Sequence, residues 1–523
     1  MRSHLLRNIQ HCLYAAAREK QQSNSNDFDP GRRKSIQQLG LAAAGLATGA
    51  LTKPLFPRYN SAIKPKIAIL GAGIAGLHCA YVLQKAGLDA TVYEGAKRVG
   101  GRMFSLHDRF GKGLNTEAGG EFLDSNHADM LGLAAEFSLP LLDVTMDSNH
   151  FESAIFYFQN IKYNSTDLVN GFLPMVDRIV ADRVACGEEY DSPFAEQLDK
   201  QSLEQYVNSF PCDEWIKQLL VMAYVGEFGL DGGDQSALNF LSLIGFPQDG
   251  QLPLFGDSDE RYKVIGGNSQ IIYHLQKAVA DKIKIESTVK SIQSKGRRYL
   301  LIFADGSEAE ADYVVCTIPY TLLRNMELKI PNMSLDKKRC IQELGYGMNN
   351  KLLLGMNQRI WRYGSRPTEG YTYDRDIHTG WDNSHMQNNN QGTAGFTVFL
   401  GGTPSLNLAR NAEMSGNKRI LNQSGLDFYI ARLDQLYAGF KNNFSGDQEL
   451  ITWSSNPWSL GSYSCYKTGQ WFSISGHEGT PIGKNFLFAG EHCSSRYQGF
   501  MNGAAETGRL AAEEIISQLM KKK

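Results

Sequence analysis

The chain has 523 residues, of which 42% are hydrophobic, and its formal net charge is -2. This length exceeds what a single core usually holds, so we expect two domains of an ordinary globular protein. The near-neutral charge and the lack of a long basic run give no reason to expect nucleic acid or an anionic membrane surface as a partner. The eight cysteines are scattered without CxxC or zinc-ligand spacing, so we expect free thiols and no metal.

The first sixty residues are not predicted to belong to the fold. Arg32 and Arg33 precede an apolar, Ala/Gly-rich stretch, Leu39 to Leu51. Such a stretch makes roughly 20 Å of helix, short of the roughly 30 Å hydrocarbon core, which favours a signal segment over a membrane span. The pattern resembles a twin-arginine export signal, although Ser35 stands where such signals usually have Phe. We expect a periplasmic or secreted protein without firm membrane association; a cytoplasmic protein with a disordered extension, or an uncleaved anchor, is the alternative.

The clearest motif follows the first predicted strand, Lys66 to Leu70. Gly71, Gly73 and Gly76 form a GxGxxG sequence that runs into an apolar helix. The three glycines suit a tight turn, the close approach of a pyrophosphate, and close packing of helix and strand. The next predicted strand ends at Glu94, whose carboxylate can accept hydrogen bonds from a ribose diol. Strand, glycines, helix, strand and acid in this order predict a dinucleotide-binding domain.

Glycine pairs and a change of character mark the middle of the chain. Pairs such as Gly119-Gly120 let the backbone pass close to a flat or charged ligand. Residues 144–259 and 326–455 carry no nucleotide signature and are predicted to form a separate lobe. The polar tract Asn383 to Gln391 is expected to be a surface loop of that lobe.

The end of the chain repeats the N-terminal arrangement. A predicted strand, Asn485 to Ala489, is followed by a glycine-flanked helix, Ala504 to Leu519. The N-terminus of this helix would offer free N–H groups and a positive dipole end to the same ligand. A ligand long enough to use both helix N-termini would be FAD.

The glycines, Glu94 and the C-terminal sequence AGEHCSSRYQGFMNGAAETGRLAAEEI resemble the flavin-containing monoamine oxidase family, which includes polyamine oxidases, L-amino-acid oxidases and histone-demethylating amine oxidases. The resemblance covers residues 64–518. It implies an α/β fold in which a Rossmann-type FAD-binding domain is interleaved with an α+β substrate-binding domain. The expected division is a signal or disordered extension at 1–60, the FAD-binding domain at 64–143, 260–325 and 456–518, and the substrate-binding domain at 144–259 and 326–455.

The resemblance also implies which residues contact the cofactor. Glu94 would bind the adenosine ribose, Arg102 the pyrophosphate or the flavin edge, and the backbone of Val289 the adenine. A surface ion pair for Arg102 and a strand-core position for Val289 are the alternatives. Ser462 stands where monoamine oxidase has a cysteine bonded to the flavin, so we expect non-covalent FAD. The remaining expected contacts are Gly71, Gly73, Ile74, Ala75, Gly76, Gly101, Gly119, Gly120, Trp453, Glu491 and Met501.

Three residues are implied as catalytic. Lys351 matches the family lysine that hydrogen-bonds through water to flavin N5, where a cation can assist the reaction with oxygen. Tyr463 and Phe500 match the two walls of an aromatic cage that orients a neutral amine and excludes water. Phe500 stands where the family usually has tyrosine or tryptophan. An exposed lysine at a strand end and simple core packing of the two rings are the alternatives.

The function implied is that of an FAD-dependent oxidase, which converts an amine, O2 and water into an aldehyde, ammonia and hydrogen peroxide. The nearest rival function is that of an L-amino-acid oxidase. Such enzymes often place an arginine after the Gly-Gly pair, and here Glu121 and Phe122 stand there. A desaturase or porphyrinogen-type oxidase is a third possibility, and a non-catalytic flavin-binding interaction protein is a fourth. The amine stays open because specificity resides in the lobes, and so does the oligomeric state, with a homodimer as one option.

Overall fold

A five-stranded parallel sheet forms the centre of the nucleotide domain. The computed structural model of the chain describes residues 4–24, 59, 64–147, 151–246, 258–364, 367–387 and 392–521. The strand after which the glycine turn begins lies in the middle of the sheet and is buried along its length, as expected of a parallel strand covered on both faces. The sheet draws on all three segments predicted for the FAD-binding domain. In spatial order its strands are Phe486–Phe488, Tyr313–Cys316, Ile67–Leu70, Ala90–Tyr93 and Ile283–Lys284.

Two long helices lie against each other in this domain. The helix Ile74–Lys85 begins at the glycine turn, and the C-terminal helix, Met501–Met520, packs against it with Gly508 directly over the Ala75 carbonyl. Neither helix has a side-chain cap at its N-terminus. Both therefore begin with N–H groups that a ligand can accept from. Two further helices bury apolar residues in the same core, Ala128–Glu136 and Ser269–Ala278.

A four-stranded sheet extends the nucleotide domain beyond its predicted boundary at residue 325. The strand Glu327–Lys329 pairs in parallel with Val289–Lys295, and the helix Leu335–Glu343 buries Cys340 and Ile341 in the core of this sheet. Residues 326–344 therefore pack with the nucleotide domain rather than with the lobe. The other two strands are Arg298–Phe303 and Glu308–Ala311. Two further antiparallel pairs join Ser105–His107 to Asn115–Glu117 and Leu141–Asp143 to Tyr262–Val264.

The predicted substrate-binding lobe is built around a seven-stranded sheet, whose strands come from both segments predicted for this domain. The strand Asn350–Met356 is buried along its whole length and pairs antiparallel with both of its neighbours. In spatial order the strands are Phe444–Thr452, Asn350–Met356, Ala394–Leu400, His378–Asp382, Thr368–Asp374, Glu152–Phe158 and Ile161–Tyr163.

Helices cover this sheet and complete the lobe. The long helix Glu214–Phe228 ends at Gly229, which takes the left-handed conformation common at helix C-termini. The remaining helices between residues 165 and 242 are Ser165–Phe172, Val176–Ala185, Pro193–Asp199, Leu203–Asn208 and Leu238–Ser242. The later helices of the lobe are Gly402–Arg410, Gln423–Leu436 and Phe440–Asn443, and the strands Ala412–Ser415 and Lys418–Leu421 form a separate hairpin. Two short helices, Tyr320–Leu323 and Gln470–Ser473, lie outside the predicted lobe segments, and the first buries Tyr320 and Leu323 in the core of the four-stranded sheet.

The polar tract that begins at Asn383 is not a surface loop where it is described. Asn383, Ser384 and His385 are buried. Lys263 donates to the Asn383 carbonyl at 3.2 Å, and Arg359 donates to the Ser384 carbonyl at 3.0 Å. The prediction was wrong because buried polar groups are tolerated once they have hydrogen-bond partners, which composition does not reveal. Residues 388–391 of the tract lie outside the described residues.

The N-terminal helix, His4–Asn24, packs against the substrate lobe. This differs from the expectation that the first sixty residues lie outside the fold. Its apolar residues recur every three or four positions, which places them on one face of a helix. That face contacts the helices Ser165–Phe172 and Glu214–Phe228. The buried residues are Leu5, Ile9, Cys12, Leu13, Ala16 and Ala17.

Polar contacts also hold the N-terminal helix. The Gln10 side-chain amide donates to the Leu243 carbonyl at 3.0 Å, and the Lys20 ammonium donates to the Leu173 carbonyl at 3.3 Å. The paired arginines and the apolar stretch of the predicted export signal lie outside the described residues. Among the helices that the structure does describe, none combines the length and the apolar character needed to cross a membrane.

Candidate active site

A single large cavity brings the predicted site residues together. Its volume is about 870 Å³, within the range of about 300–1,000 Å³ typical of small-molecule sites. Every predicted cofactor-contacting and catalytic residue lines this cavity except Gly76. A Cβ on Gly76 would stand 2.0 Å from the Gly71 carbonyl oxygen. Gly76 therefore acts as predicted, by allowing the helix to lie close to the strand.

The nucleotide end of the cavity lies around Gly71, Gly73 and Glu94. Gly71 has a φ of +107°, which favours glycine. The Glu94 carboxylate accepts from the N–H of Ala72 at 2.7 Å and from that of Ala96 at 2.8 Å. One carboxylate thus ties the glycine turn to the loop after the second strand.

Trp458 also lines the nucleotide end and was not predicted. Its ring packs against Gly95, where a Cβ would stand 2.4 Å from a ring carbon. Trp458 is 42% exposed, and an isolated aromatic residue after a proline in a loop carries no signal that separates a ligand contact from ordinary packing.

The middle of the cavity holds a buried ion pair. The Arg102 guanidinium donates to Glu491 at 3.0 Å and to the Ser462 carbonyl at 2.6 Å. Glu491 also accepts from the Ser464 hydroxyl at 2.8 Å and from the Gly499 N–H at 3.0 Å. Burial alone would raise the pKa of Glu491, but Arg102 and the hydrogen bonds hold this pKa below its usual value. Glu491 is therefore an anion that neutralises Arg102.

The Ser462 hydroxyl points into the protein. It donates to the Asn349 side-chain carbonyl at 2.6 Å, and the Asn349 amide in turn donates to the Gly226 carbonyl at 2.7 Å. Asn349 lines the cavity and was not predicted as a site residue. Among the described residues that line the cavity there is neither a cysteine nor a histidine.

Aromatic side chains form the other end of the cavity. This aromatic end comprises Phe122, Phe399, Tyr463 and Phe500. The Tyr463 hydroxyl donates to the carbonyl of Glu227, and burial keeps the pKa of this phenol well above its usual value. Neither of the first two rings was predicted as a site residue. The position of Phe399 follows from the pairing of its strand with that of Lys351, which the sequence does not show.

Lys351 is a buried residue, not an exposed lysine at a strand end. It is 1% exposed, and its strand places it opposite Phe399. Its ammonium donates to the carbonyls of Glu117 at 2.9 Å and Gly119 at 3.0 Å, and to the carboxylate of Glu121 at 2.9 Å. All three of its N–H donors therefore have acceptors within the protein.

Glu121 joins Lys351 to a second buried lysine. Lys263 donates to the other oxygen of Glu121 at 2.8 Å, and the indole N–H of Trp381 donates to it at 3.1 Å. We call Lys263, Glu121 and Lys351 the lysine–glutamate cluster. Burial would raise the pKa of Glu121, but the two lysines lower it to about 2. The Glu121 carboxyl is thus ionised near neutral pH.

A second buried carboxyl, that of Glu117, is hydrogen-bonded to groups other than the Lys351 ammonium. It accepts from the Asn268 N–H at 2.7 Å and from the Ser105 hydroxyl at 2.8 Å. Burial is the largest influence and raises the pKa of Glu117 to about 7, although both hydrogen bonds and Lys263 oppose this rise. Glu117 therefore changes charge near neutral pH, whereas Glu121 does not.

The residues present fit FAD. Two helices without N-terminal side-chain caps begin at the cavity, one after Gly73 and one after Phe500. A Cβ on Gly73 would meet no atom within 4 Å, so the turn leaves room for a phosphate. Glu94 supplies an acceptor at one end, and aromatic walls suited to a planar ring system lie at the other. An elongated ligand with an anionic centre would meet complementary groups along its length.

Known proteins resemble the chain over most of its length. The family described as flavin containing amine oxidoreductase matches residues 74–516. Flavin-containing amine oxidase B of Sus scrofa is 24% identical over 483 residues, which cover 88% of this chain and 87% of that protein. Polyamine oxidase 4 of Oryza sativa subsp. japonica is 23% identical over 503 residues, which cover 91% of this chain and 94% of that protein.

Solved structures share the fold. Cyclohexylamine oxidase from Brevibacterium oxydans IH-35A superposes with a TM-score of 0.74 at 18% identity, over 88% of this chain and all of that one. Putrescine oxidase bound to putrescine superposes with a TM-score of 0.71 at 19% identity, over 87% of this chain and 99% of that one. At these identities the likeness establishes the fold alone.

Proposed function

Because the chain belongs to the flavin-containing amine oxidoreductase family, we propose that it is an FAD-dependent oxidase of amines. The reaction would convert an amine, O2 and water into an aldehyde, ammonia and hydrogen peroxide. The observation that carries the proposal is that Lys351, Tyr463 and Phe500 line the same cavity as the glycine turn and Glu94. When bound, FAD would accept a hydride from the amine α-carbon and pass the electrons to O2.

Cofactor binding is assigned to the nucleotide end and the middle of the cavity. Glu94 would accept hydrogen bonds from the ribose diol, and the N–H groups after Gly73 would bind the pyrophosphate. Arg102, already held by Glu491, would donate to the pyrophosphate or the flavin edge. The start of the C-terminal helix at Met501 would present its free N–H groups to the ring system.

Substrate binding is assigned to the aromatic end. Tyr463 and Phe500 would hold a neutral amine between two apolar faces and keep water away from the reacting carbon. The Tyr463 ring is fixed, because its hydroxyl is bonded to the Glu227 carbonyl. Lys351 would act as a fixed positive charge beside the cofactor.

FAD is proposed to bind without a covalent link. Ser462 cannot form a thioether, and the described lining offers no cysteine or histidine for attachment. The purified protein should be yellow and should release its FAD on acid or heat precipitation. Flavin that stays with the denatured chain would contradict this assignment.

The proposed reaction is tested by a peroxide-coupled screen of monoamines, polyamines and amino acids. Tyramine and tyrosine form a matched pair, because they differ only by a carboxylate. Tyramine should give the higher kcat/KM, since a carboxylate buried without a partner is costly. The rate should rise with pH as the amine loses its proton, because the charged form has no lone pair to assist hydride loss and is costly to desolvate. A higher kcat/KM for tyrosine would favour an amino-acid oxidase, and peroxide from none of the amines or amino acids would contradict the proposal.

Export in the folded state is proposed from Arg32, Arg33 and the apolar stretch after them. A protein that carries a bound cofactor would have to fold before leaving the cytoplasm. A fusion of residues 1–60 to a folded reporter should therefore be exported, and Arg32→Lys/Arg33→Lys should abolish this export. A reporter whose location does not depend on the two arginines would favour a cytoplasmic protein.

A further inference from the structure

The cations that line the cavity are unevenly available to a substrate. Among the described lining residues they are Lys97, Arg98, Arg102 and Lys351. The first two belong to the loop that follows Glu94, at the nucleotide end. The other two each carry their own buried carboxylate, at 3.0 Å from Arg102 to Glu491 and at 2.9 Å from Lys351 to Glu121. A substrate carboxylate at the aromatic end would therefore compete with a protein carboxylate for Arg102 or for Lys351.

Glu121 is the carboxylate that occupies Lys351. Glu121 is 0% exposed. It directly follows Gly120, where an added Cβ would stand 2.6 Å from the Met501 sulfur. The other two N–H groups of Lys351 donate to the carbonyls of Glu117 and Gly119. An ammonium whose three N–H groups already have acceptors cannot donate to a further carboxylate, unless its hydrogen bond to Glu121 breaks.

The charge of Glu121 adds a second barrier to an anionic substrate. The carboxylate is ionised, because Lys263 and Lys351 both donate to it. A substrate carboxylate beside it would meet a like charge in a site shielded from water, where electrostatic repulsion is strong. Replacing Glu121 by glutamine would remove this repulsion and would replace the ion pair of Lys351 by a weaker hydrogen bond to a neutral amide oxygen.

We propose that Glu121 is a specificity-determining residue, which excludes substrates with an α-carboxylate by occupying Lys351 with a fixed internal anion. The inference rests on the proposed function, because it concerns which substrates the aromatic end accepts. Glu121 itself would then exclude the α-carboxylate, and the exclusion would not follow merely from the lack of an arginine.

The direct test measures the binding of an aromatic anion to the FAD-loaded protein, with no turnover required. Phenylacetate is titrated by isothermal calorimetry at about pH 6 into the parent protein, Glu121→Gln and Glu117→Gln. Glu121→Gln should bind phenylacetate at least about tenfold more tightly, equivalent to about 1.4 kcal/mol. Glu117→Gln is the matched control, because Glu117 is mostly protonated at this pH and its carboxyl faces Ser105 and Asn268.

A gain of less than twofold for Glu121→Gln, or an equal gain for the control, would overturn the proposal. The double variant Glu121→Gln/Lys263→Met covers the case in which the single variant does not fold. It keeps the summed charge of the lysine–glutamate cluster and still leaves Lys351 without its carboxylate. The double variant should show the same gain in phenylacetate affinity, and the absence of that gain would also overturn the proposal.

Turnover separates this inference from the proposed function. In Glu121→Gln the ratio of kcat/KM for tyrosine to that for tyramine should rise at least about tenfold. Oxidation of tyramine by the parent protein without a phenylacetate gain in the variant would sustain the amine oxidase and overturn the role of Glu121. A phenylacetate gain in a protein that oxidises neither compound would support the role of Glu121 and count against the proposed reaction.

Discussion

At the nucleotide end of the cavity the wall is built around one short motif, the glycine turn with Glu94, whereas at the aromatic end it is formed by side chains from distant parts of the chain. The first end uses the glycine turn and the N–H groups held by Glu94. The second brings together Phe122, Lys351, Phe399 and Tyr463. Main-chain geometry is set by a short local motif, while the aromatic end depends on how lobe residues such as Lys351 and Phe399 meet nucleotide-domain residues such as Phe122 and Tyr463. Changes at the two ends should therefore differ in kind: loss of cofactor at one, and loss of rate with cofactor retained at the other.

Glu94→Ala should have the largest effect and should yield mainly apoprotein. It removes the proposed ribose acceptor and also leaves the N–H groups of Ala72 and Ala96 without their partner. Each buried group left unpaired costs about 1–3 kcal/mol. The measurement is the ratio of FAD absorbance to protein after gel filtration. Glu286→Ala is the control, since this carboxylate lines the same end but is exposed. Normal FAD content in Glu94→Ala would show that Glu94 does not bind the ribose.

Lys351→Met should keep FAD and lower the rate of flavin oxidation by O2 at least about tenfold, or about 1.4 kcal/mol of transition-state free energy. The substitution keeps the length of the side chain and removes its charge. Lys263→Met is the matched control, because Lys263 donates to the same glutamate but does not line the cavity. Both variants break a buried ion pair, so both should lose stability, by about 3–5 kcal/mol. Equal oxygen rates in stopped-flow measurements of the two variants would place Lys351 outside the reaction.

Leu13→Ala tests whether the N-terminal helix belongs to the lobe that contributes Lys351 and Phe399 to the cavity. Leu13 is buried in the core shared with Phe172 and Leu219, and removing such a side chain costs about 2–5 kcal/mol. The apparent Tm should fall while the FAD content per folded molecule stays unchanged. Leu510→Ala, on an exposed part of the C-terminal helix, should change stability by less than about 0.5 kcal/mol. Equal Tm values for the two variants would show that the N-terminal helix does not stabilise the lobe.

Glu117→Gln should have the smallest effect, and one that depends on pH. The pKa of Glu117 is raised from 4.5 to about 7 by burial, so the folded protein binds this proton more tightly than the unfolded chain does. The corresponding stability is fully present below pH 4.5 and is lost as the pH rises through 7. Lys263 and Glu121 are the charged groups that act on this carboxyl.

The glutamine variant keeps a neutral group at that position. Its stability relative to the parent should therefore increase between about pH 4.5 and pH 8, by up to about 3 kcal/mol. The measurement is the difference in Tm between the two FAD-loaded proteins across this range. A difference that does not change with pH would show that Glu117 keeps the same charge throughout.

The nucleotide half of the fold could be predicted because its signals are local. The glycine turn, the strand that ends at Glu94 and the start of the C-terminal helix each occupy a few consecutive residues, and the structure places them around one parallel sheet. The strand Glu327–Lys329 lies beyond the predicted boundary at residue 325, because it belongs to a sheet through its pairing with Ser291 and its neighbours. Pairing between distant strands leaves no mark in a short stretch of sequence.

The aromatic end could be predicted only in part. Tyr463, Phe500 and Lys351 were expected from the family resemblance, and all three line the cavity. The lysine–glutamate cluster was not expected, because Lys263 and Lys351 lie far from Glu121 in the sequence and meet it only in the folded chain. The sequence shows that Glu121 and Phe122 stand where L-amino-acid oxidases often have an arginine, but the charge balance around Glu121 depends on which residues the fold brings next to it.

The N-terminal helix constrains how the protein could mature. A peptide bond cut anywhere between Asn24 and Tyr59 would make His4–Asn24 a separate polypeptide, held to the lobe by its buried apolar face, by the hydrogen bonds of Gln10 and Lys20 and by the ion pair between Lys20 and Asp177. Removal of a leader at that place would thus produce either a two-chain protein or a lobe with an uncovered apolar surface. Mass spectrometry of the native and the denatured mature protein distinguishes an intact chain, a nicked pair and a truncated body.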